Sequence, residues 1–207
     1  ASLLRAIAVV RRIALSILLD QSLIMRSLAS GVSIISCVAS ATWFSRQMPE
    51  ARVRIAVAGW GEGALLALYS GALDPRIDAT VVSGYFSRRE ALWSEPIYRN
   101  VAGLLREFGD AEIARLIVPR GLIVEDAAAP IISGPPAPRP RFTGAALGKI
   151  VTPARDAVEA EMERARGVAG KFAREIEFEP RTEEGGGAFF REATLMRLWR
   201  RLGGNPA

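Results

Sequence analysis

Histidine is absent from all 207 residues. That removes the commonest general base, the commonest metal ligand and the side chain that titrates near neutral pH. Cys37 is the only cysteine, which excludes an intrachain disulfide and a thiolate metal site built from this chain. Nothing in the residues calls for a metal or for a cofactor. Lysine is almost as scarce, Lys149 and Lys171 being the only two, so arginine carries the formal charge of +5. The arginines are spread along the chain with no aromatic-interleaved basic motif, which argues against a nucleic-acid partner. Long hydrophobic runs are also lacking. The longest charge-free stretch, Ser27 to Ser45, has 19 residues but is rich in serine, so it reads as a helix packed on a sheet and not as a membrane span. Its stripe is Leu28, Val32, Ile35, Ala39 and Trp43. No small-residue cleavage pattern follows the early apolar run, so the start does not read as an intact signal peptide.

Half of the chain is apolar, enough for a sizeable core, and its length suggests one α/β unit. Residues 1–50 read as an N-terminal segment with a strand over 6–10, an apolar run over 13–19 and the helix just named. Residues 51–207 read as the main body, organised around Val53-Arg-Ile-Ala-Val-Ala-Gly-Trp-Gly-Glu-Gly63 and the helical pattern that follows. This stretch reads as strand, tight turn and helix, with Gly59, Gly61 and Gly63 permitting a sharp turn and a close helix–strand approach.

Beyond it, Asp74 and Pro75 end the helix, and the β-branched run from Ile77 to Val82 predicts a second, parallel strand. Ser83, Gly84 and Tyr85 leave the sheet at its carboxyl edge, where open α/β folds bind ligands. Helical pieces are expected over 91–116, the second capped by Asp110, with Ile113, Leu116 and Ile117 inward. Gly121 to Val124 reads as a strand ending in Glu125 and Asp126. From 130 to 148 the prolines at 130, 135, 136, 138 and 140 predict a long loop or lid. Thr152 and Pro153 are expected to open a helix with Val158, Met162, Ala165, Ala169 and Phe172 as its apolar stripe and Glu161 on the charged face. A short strand over 174–178 and a last helix over 191–202 follow, the latter with Leu195, Leu198, Trp199 and Leu202 inward.

Three stretches carry a family resemblance. Ile55 to Gly63, Ala72 to Gly84, and Leu116-Ile-Val-Pro-Arg-Gly-Leu-Ile-Val124 resemble the C-terminal part of the α/β-hydrolase fold, most closely the branch of dienelactone hydrolases and acetyl xylan esterases. The likeness covers roughly residues 50 to 205 and implies a mostly parallel sheet flanked by helices, a partial α/β-hydrolase-like fold. It also implies that Gly61 occupies the place of the nucleophilic serine in G-x-S-x-G. The activating histidine belongs to the loop before the last helix, here Glu183 to Phe190, which contains none. Only the acid place is filled, by Asp126 or Glu125, and an acid alone cannot run acyl transfer. Glu62, at the helix start, is the remaining candidate; the helix dipole would stabilise its charge and make it a poor base. The expected function is therefore a catalytically silent domain acting as a binding or structural subunit, with Gly59, Trp60, Gly61, Gly63, Ser83 and Tyr85 as candidate ligand-binding residues. An active esterase or peptidase of the same class is the alternative if the chain is incomplete.

Gly59-x-Gly61-x-x-Ala64 also matches the alanine-ended dinucleotide fingerprint, with Ser87-Arg88-Arg89 placed to meet the 2′-phosphate of NADP. Against it, Glu62 would stand where a pyrophosphate must approach. Because the early strands of the hydrolase fold have no counterpart in these residues, a missing segment or a protein partner is expected to cover a sheet edge.

Overall fold

The computed structural model describes residues 30–47, 54–100, 103–134, 148–182 and 187–204. The strand expected over 6–10, the apolar run over 13–19, most of the Pro-rich loop and the first half of the 183–190 loop lie outside these residues. Four short strands form one parallel sheet in sequential order: β1 (Ile55–Trp60), β2 (Ile77–Ser83), β3 (Gly121–Glu125) and β4 (Ile176–Glu179). The helices are α1 (Ser30–Gln47), α2 (Glu62–Leu73), α3 (Asp110–Ile117), α4 (Arg155–Ala169) and α5 (Glu192–Arg201). The chain is thus of the α/β class, a parallel sheet flanked by helices, as its sequence predicts. Among the described residues no helix is long and apolar enough to cross a membrane.

Strand periodicity sorts the side chains between two faces. Val82, Leu122, Val124 and Ile176 join α2, α3 and α4 in the larger core, where Leu68, Ile117 and Met162 are buried. Ala79, Val81 and Ile123 face the other way, against Leu198 of α5. Both faces of the central strands are covered, so they read as continuous apolar runs without alternation. At the carboxyl end the register lines up Trp60, Ser83, Glu125 and Glu179 in one row across the sheet. This row places every candidate from the strand ends on one edge.

α5 docks differently from the rest. Thr194 and Leu198 are its only buried side chains, and ion pairs do the remaining work: Arg197 with Glu177 and Glu179, Arg201 with Glu175 and Glu177. Glu177 lies on the Ile123 face by register, which brings it under the helix. Arg201 runs over Gly121, where a Cβ would stand 2.9 Å from its Cδ. Near the opposite end of the strands, the Arg120 guanidinium donates to the carbonyls of Gly71, Asp74 and Ile77, tying the start of β3 to the end of α2 and the start of β2.

Several local expectations are corrected. The inner face of α1 carries Ile34, Cys37 and Ala41, whereas Ala39 and Trp43 are exposed. Leu116 is half exposed, because Ile113 and Ile117, four apart, define the buried stripe of α3. Among the described residues of the 91–116 region only α3 is a full helix; the other pieces are single 3₁₀ turns at Leu92–Ser94, Ile97–Arg99 and Leu104–Arg106. Gly109, not Asp110, is its N-cap, with the Glu112 carboxylate accepting from the Gly109 N–H at 2.7 Å. Thr152 does not cap α4, since its hydroxyl accepts from the Ala129 N–H and the helix begins at Arg155. Glu161 is buried rather than solvated, accepting from the Ala111 N–H and pairing with Arg164. The last strand begins two residues later than expected, after a 3₁₀ segment at Gly170–Glu175.

Two helical glycines make opposite demands. A Cβ on Gly71 would stand 2.2 Å from the Thr80 hydroxyl where α2 crosses β2, while Gly167 in α4 has nothing within 4 Å. Gly71→Ala should lower stability by about 1–3 kcal/mol and Gly167→Ala should raise it by about 0.5–1 kcal/mol, measured by urea unfolding. Acid should loosen α5. Burial opposes ionisation of Glu177, but hydrogen bonds from Arg197 and Arg201 hold its carboxyl below the usual range. A depressed folded pKa contributes stability that is present above the ordinary carboxylate range and lost as pH falls through the folded value. The destabilisation caused by Arg197→Gln at neutral pH should therefore fade by about pH 2, followed by circular dichroism.

Candidate functional site

The turn between β1 and α2 is built by backbone constraints. Gly61 adopts φ 57° and ψ −117° as the N-cap of α2, in the left-handed half of the map where a side chain is strained. Its N–H donates to the Ser83 carbonyl at 3.0 Å, which fixes the turn against the end of β2. Gly59 is what permits the close approach, since a Cβ there would overlap the Gly63 backbone; Gly63 itself has open space around it. At Gly61 a Cβ would stand 2.6 Å from Cδ of Pro130. A proline ring has little freedom to move away, so position 61 presents no side chain and has no room for one.

Beside the turn, Trp60 stacks on Phe189 with ring centroids 4.2 Å apart, and its indole N–H donates to the Ala128 carbonyl. Phe189 belongs to the stretch before α5 where the resemblance places a histidine. The following residue, Phe190, has φ 51°, uncommon for a non-glycine. That conformation turns two successive N–H groups, Phe190 and Arg191, onto the Glu125 carboxylate at 2.7 and 2.9 Å.

Glu125 is consequently enclosed. Besides those two amides it accepts from the Ser83 hydroxyl at 2.5 Å, the Thr194 hydroxyl at 2.6 Å and Arg191 Nε at 3.3 Å, and it is 1% exposed. Arg191 continues to the carbonyls of Glu179 and Pro180, so one carboxylate and one guanidinium join the ends of β2, β3 and β4 to the start of α5. Asp126 is also buried and pairs with Arg181 through Oδ1, while its Oδ2 has no partner among the described residues. Among the described residues both acids are met by hydrogen-bond donors.

Glu62 lies in a different network. It pairs with the buried guanidinium of Arg99, which also holds Glu95; Glu95 in turn meets Arg89, and Arg89 pairs with Asp110 at 2.8 Å. Half-buried Tyr98 stands beside Glu62, its hydroxyl pushed up to about 12, chiefly by burial and then by that carboxylate. Burial pushes the Asp110 carboxyl up, outweighing Arg89, whose guanidinium lies 3.8 Å over the Tyr85 ring. Of the Ser87-Arg88-Arg89 stretch, only Arg88 is exposed; Arg89 is buried in this chain of ion pairs.

Trp60, Gly61, Ser83 and Glu125 are thus brought together at the sheet edge, and Glu62 and Tyr85 converge on the arginine network. The partners missed from the sequence are Arg99, Arg181, Arg191 and Thr194, while Arg89 and Pro130 were noticed there in other roles. The marked preference for arginine over lysine was the available signal, because guanidinium is the basic group suited to buried, forked pairing. Among the described residues no group of three or more His, Cys, Asp or Glu is placed to hold a metal ion.

No family model matches the chain, and no curated protein sequence matches it. Among solved structures it is similar to a CE15 esterase from a marine bacterial metagenome, at 9% identity over 74% of this chain and 43% of that one, TM-score 0.46. It is similar also to a CE15 glucuronoyl esterase from Caldicellulosiruptor kristjansonii, at 18% identity over 70% and 41% respectively, TM-score 0.42. A third is the Pyrococcus furiosus esterase Pf2001, at 18% identity over 86% and 63%, TM-score 0.46. The chain spans about two fifths of the length of the first two structures and less than two thirds of the third.

Replacing Glu125 by Gln keeps the shape but turns one oxygen into a donor facing donors. Glu125→Gln should cost about 3 kcal/mol, whereas the exposed Glu192→Gln should stay within about 0.5 kcal/mol. Hydrogen exchange checks where the loss falls: the amides of α5 should lose protection first.

Proposed function

We propose that the chain is an α/β-hydrolase-like domain that does not catalyse acyl transfer and serves as a binding or structural subunit. In this reading the Gly59–Gly63 turn is a nucleophile elbow without its nucleophile. The observation that carries it is Gly61 packed against Pro130: the position that would present a hydroxyl has neither the atom nor the room. Two further features support it. The Glu125 carboxylate is saturated by five donors that build the fold, and Trp60 lies flat on Phe189 beside the turn. The likeness to the dienelactone-hydrolase branch rests on the Ile117-Val-Pro-Arg120 turn, whose arginine ties β3 to its neighbours. β1 has β2 as its strand neighbour, and the outer edge of β1 is the place for a covering segment or protein partner.

Hydrolysis of p-nitrophenyl acetate and butyrate by the pure chain tests the reading. The rate should equal the background, and Gly61→Ser should leave it there while lowering the melting temperature through the collision with Pro130. Turnover well above background by the unaltered chain would end the proposal.

A further inference from the structure

β1 is less covered than the two central strands. Every residue of β3 and all but Asp78 of β2 are buried, whereas in β1 only Val57 and Gly59 are. Its backbone is engaged on one side. The N–H of Ile55 donates to the Asp78 carboxylate and that of Gly61 to the Ser83 carbonyl, so strand alternation turns the N–H groups of Ala56, Ala58 and Trp60 away from β2. Among the described residues no strand lies on that side. A row of outward amides on an edge is a template for one more strand.

The crossovers show where in the chain that strand belongs. Each step, β1–α2–β2, β2–α3–β3 and β3–α4–β4, moves one place along the sheet, and all three helices pack on the face of Val82 and Val124. Parallel crossovers share one hand, so the face a helix occupies fixes the direction of the step. α1 lies on that same face, since Ile34 joins the core of α2, α3 and α4 and Ala41 packs with Val57 and Ala67. A strand that feeds α1 therefore lies beyond β1, one place before it. Ala6-Ile-Ala-Val-Val10 has the composition of a strand, and residues 11–29 are long enough to lead from its end to the start of α1.

The sizes of the side chains agree. β1 turns Ile55 and Val57 toward α1 and α2, and its alanines at 56 and 58 toward the side of α5. Residues 6–10 repeat this alternation, with Ile7 and Val9 on one face and Ala6 and Ala8 on the other.

We propose that residues 6–10 pair in parallel with the outer edge of β1, with Ile7 and Val9 beneath α1 and Ala8 extending the row of Ala56 and Ala58. The proposal rests on the reading of that edge as a covered one and names its occupant. The missing nucleophile of the turn plays no part in it.

Cross-linking of the full chain tests it, with Cys37→Ala removing the native thiol. Ala8→Cys should be joined by a short bismaleimide to Ala56→Cys or Ala58→Cys within one chain, and Val9→Cys, on the opposite face, to neither. Hydrogen exchange gives a second reading. The amides of Ala56 and Ala58 should be protected, and at least one of Ala8→Pro and Val9→Pro should speed their exchange by about tenfold or more while β2 and β3 stay protected, because alternate N–H groups of the added strand face β1. Cross-links between chains in place of those within one would put a second copy on the edge and overturn the proposal. Failure of both Ala8→Cys pairs to join overturns it too, as does protection of Ala56 and Ala58 unmoved by either proline. Where a proline variant does not fold, the cross-linking result decides alone. Ester turnover by the same preparation would instead remove the non-catalytic reading and leave the pairing result standing.

Discussion

The carboxylate of Glu125 gathers the structure at the carboxyl edge of its sheet. A buried carboxylate without partners would be strongly disfavoured, and five donors from β2, the 187–190 stretch and α5 meet it. Because those donors come from elements that share little apolar contact, the polar cluster locates α5 where hydrophobic burial alone would not. The unusual φ of Phe190 follows from the same demand: aiming two successive amides at one carboxylate calls for a left-handed residue, whose strain costs about 1–3 kcal/mol. Tyr85, Arg89, Asp110, Arg99, Glu95 and Glu62 form a second cluster of the same kind beyond the end of β2.

Much of the scaffold was legible from the residues. β-branched runs at 55–60, 77–83 and 121–125 announce strands, glycines announce the turn at 59–63, and helical periodicity locates α2, α4 and α5 with small errors at their ends. The stripes of α1 and α3 were misjudged where more than one apolar spacing fitted the same segment. Alternative placements of Ala39 or Ala41, or of Leu116 or Ile117, differ by a fraction of a turn.

The site was legible only in part, for a physical reason. Both faces of β3 are covered, so its sequence shows no alternation that would reveal that Glu125 points toward α5. Arg99 lies 37 residues from Glu62, and the partners of Glu125 lie between 42 and 69 residues away, and charges carry no periodicity that would pair them across such separations. What the composition does disclose is the type of pairing. A chain that uses arginine almost to the exclusion of lysine favours planar, always-charged, multidentate donors, and the structure places those donors on buried carboxylates and carbonyl clusters.

The contact between Gly61 and Pro130 has a bearing on how this sequence can change over generations. The two positions are coupled: glycine at 61 tolerates proline at 130, and proline at 130 tolerates little except glycine at 61. Substitution at either site is conditioned by the other, so any mutational path toward a side chain at position 61 must open position 130 first. The loop proline thus works as a ratchet, holding position 61 in a form that no single substitution there leaves without a collision.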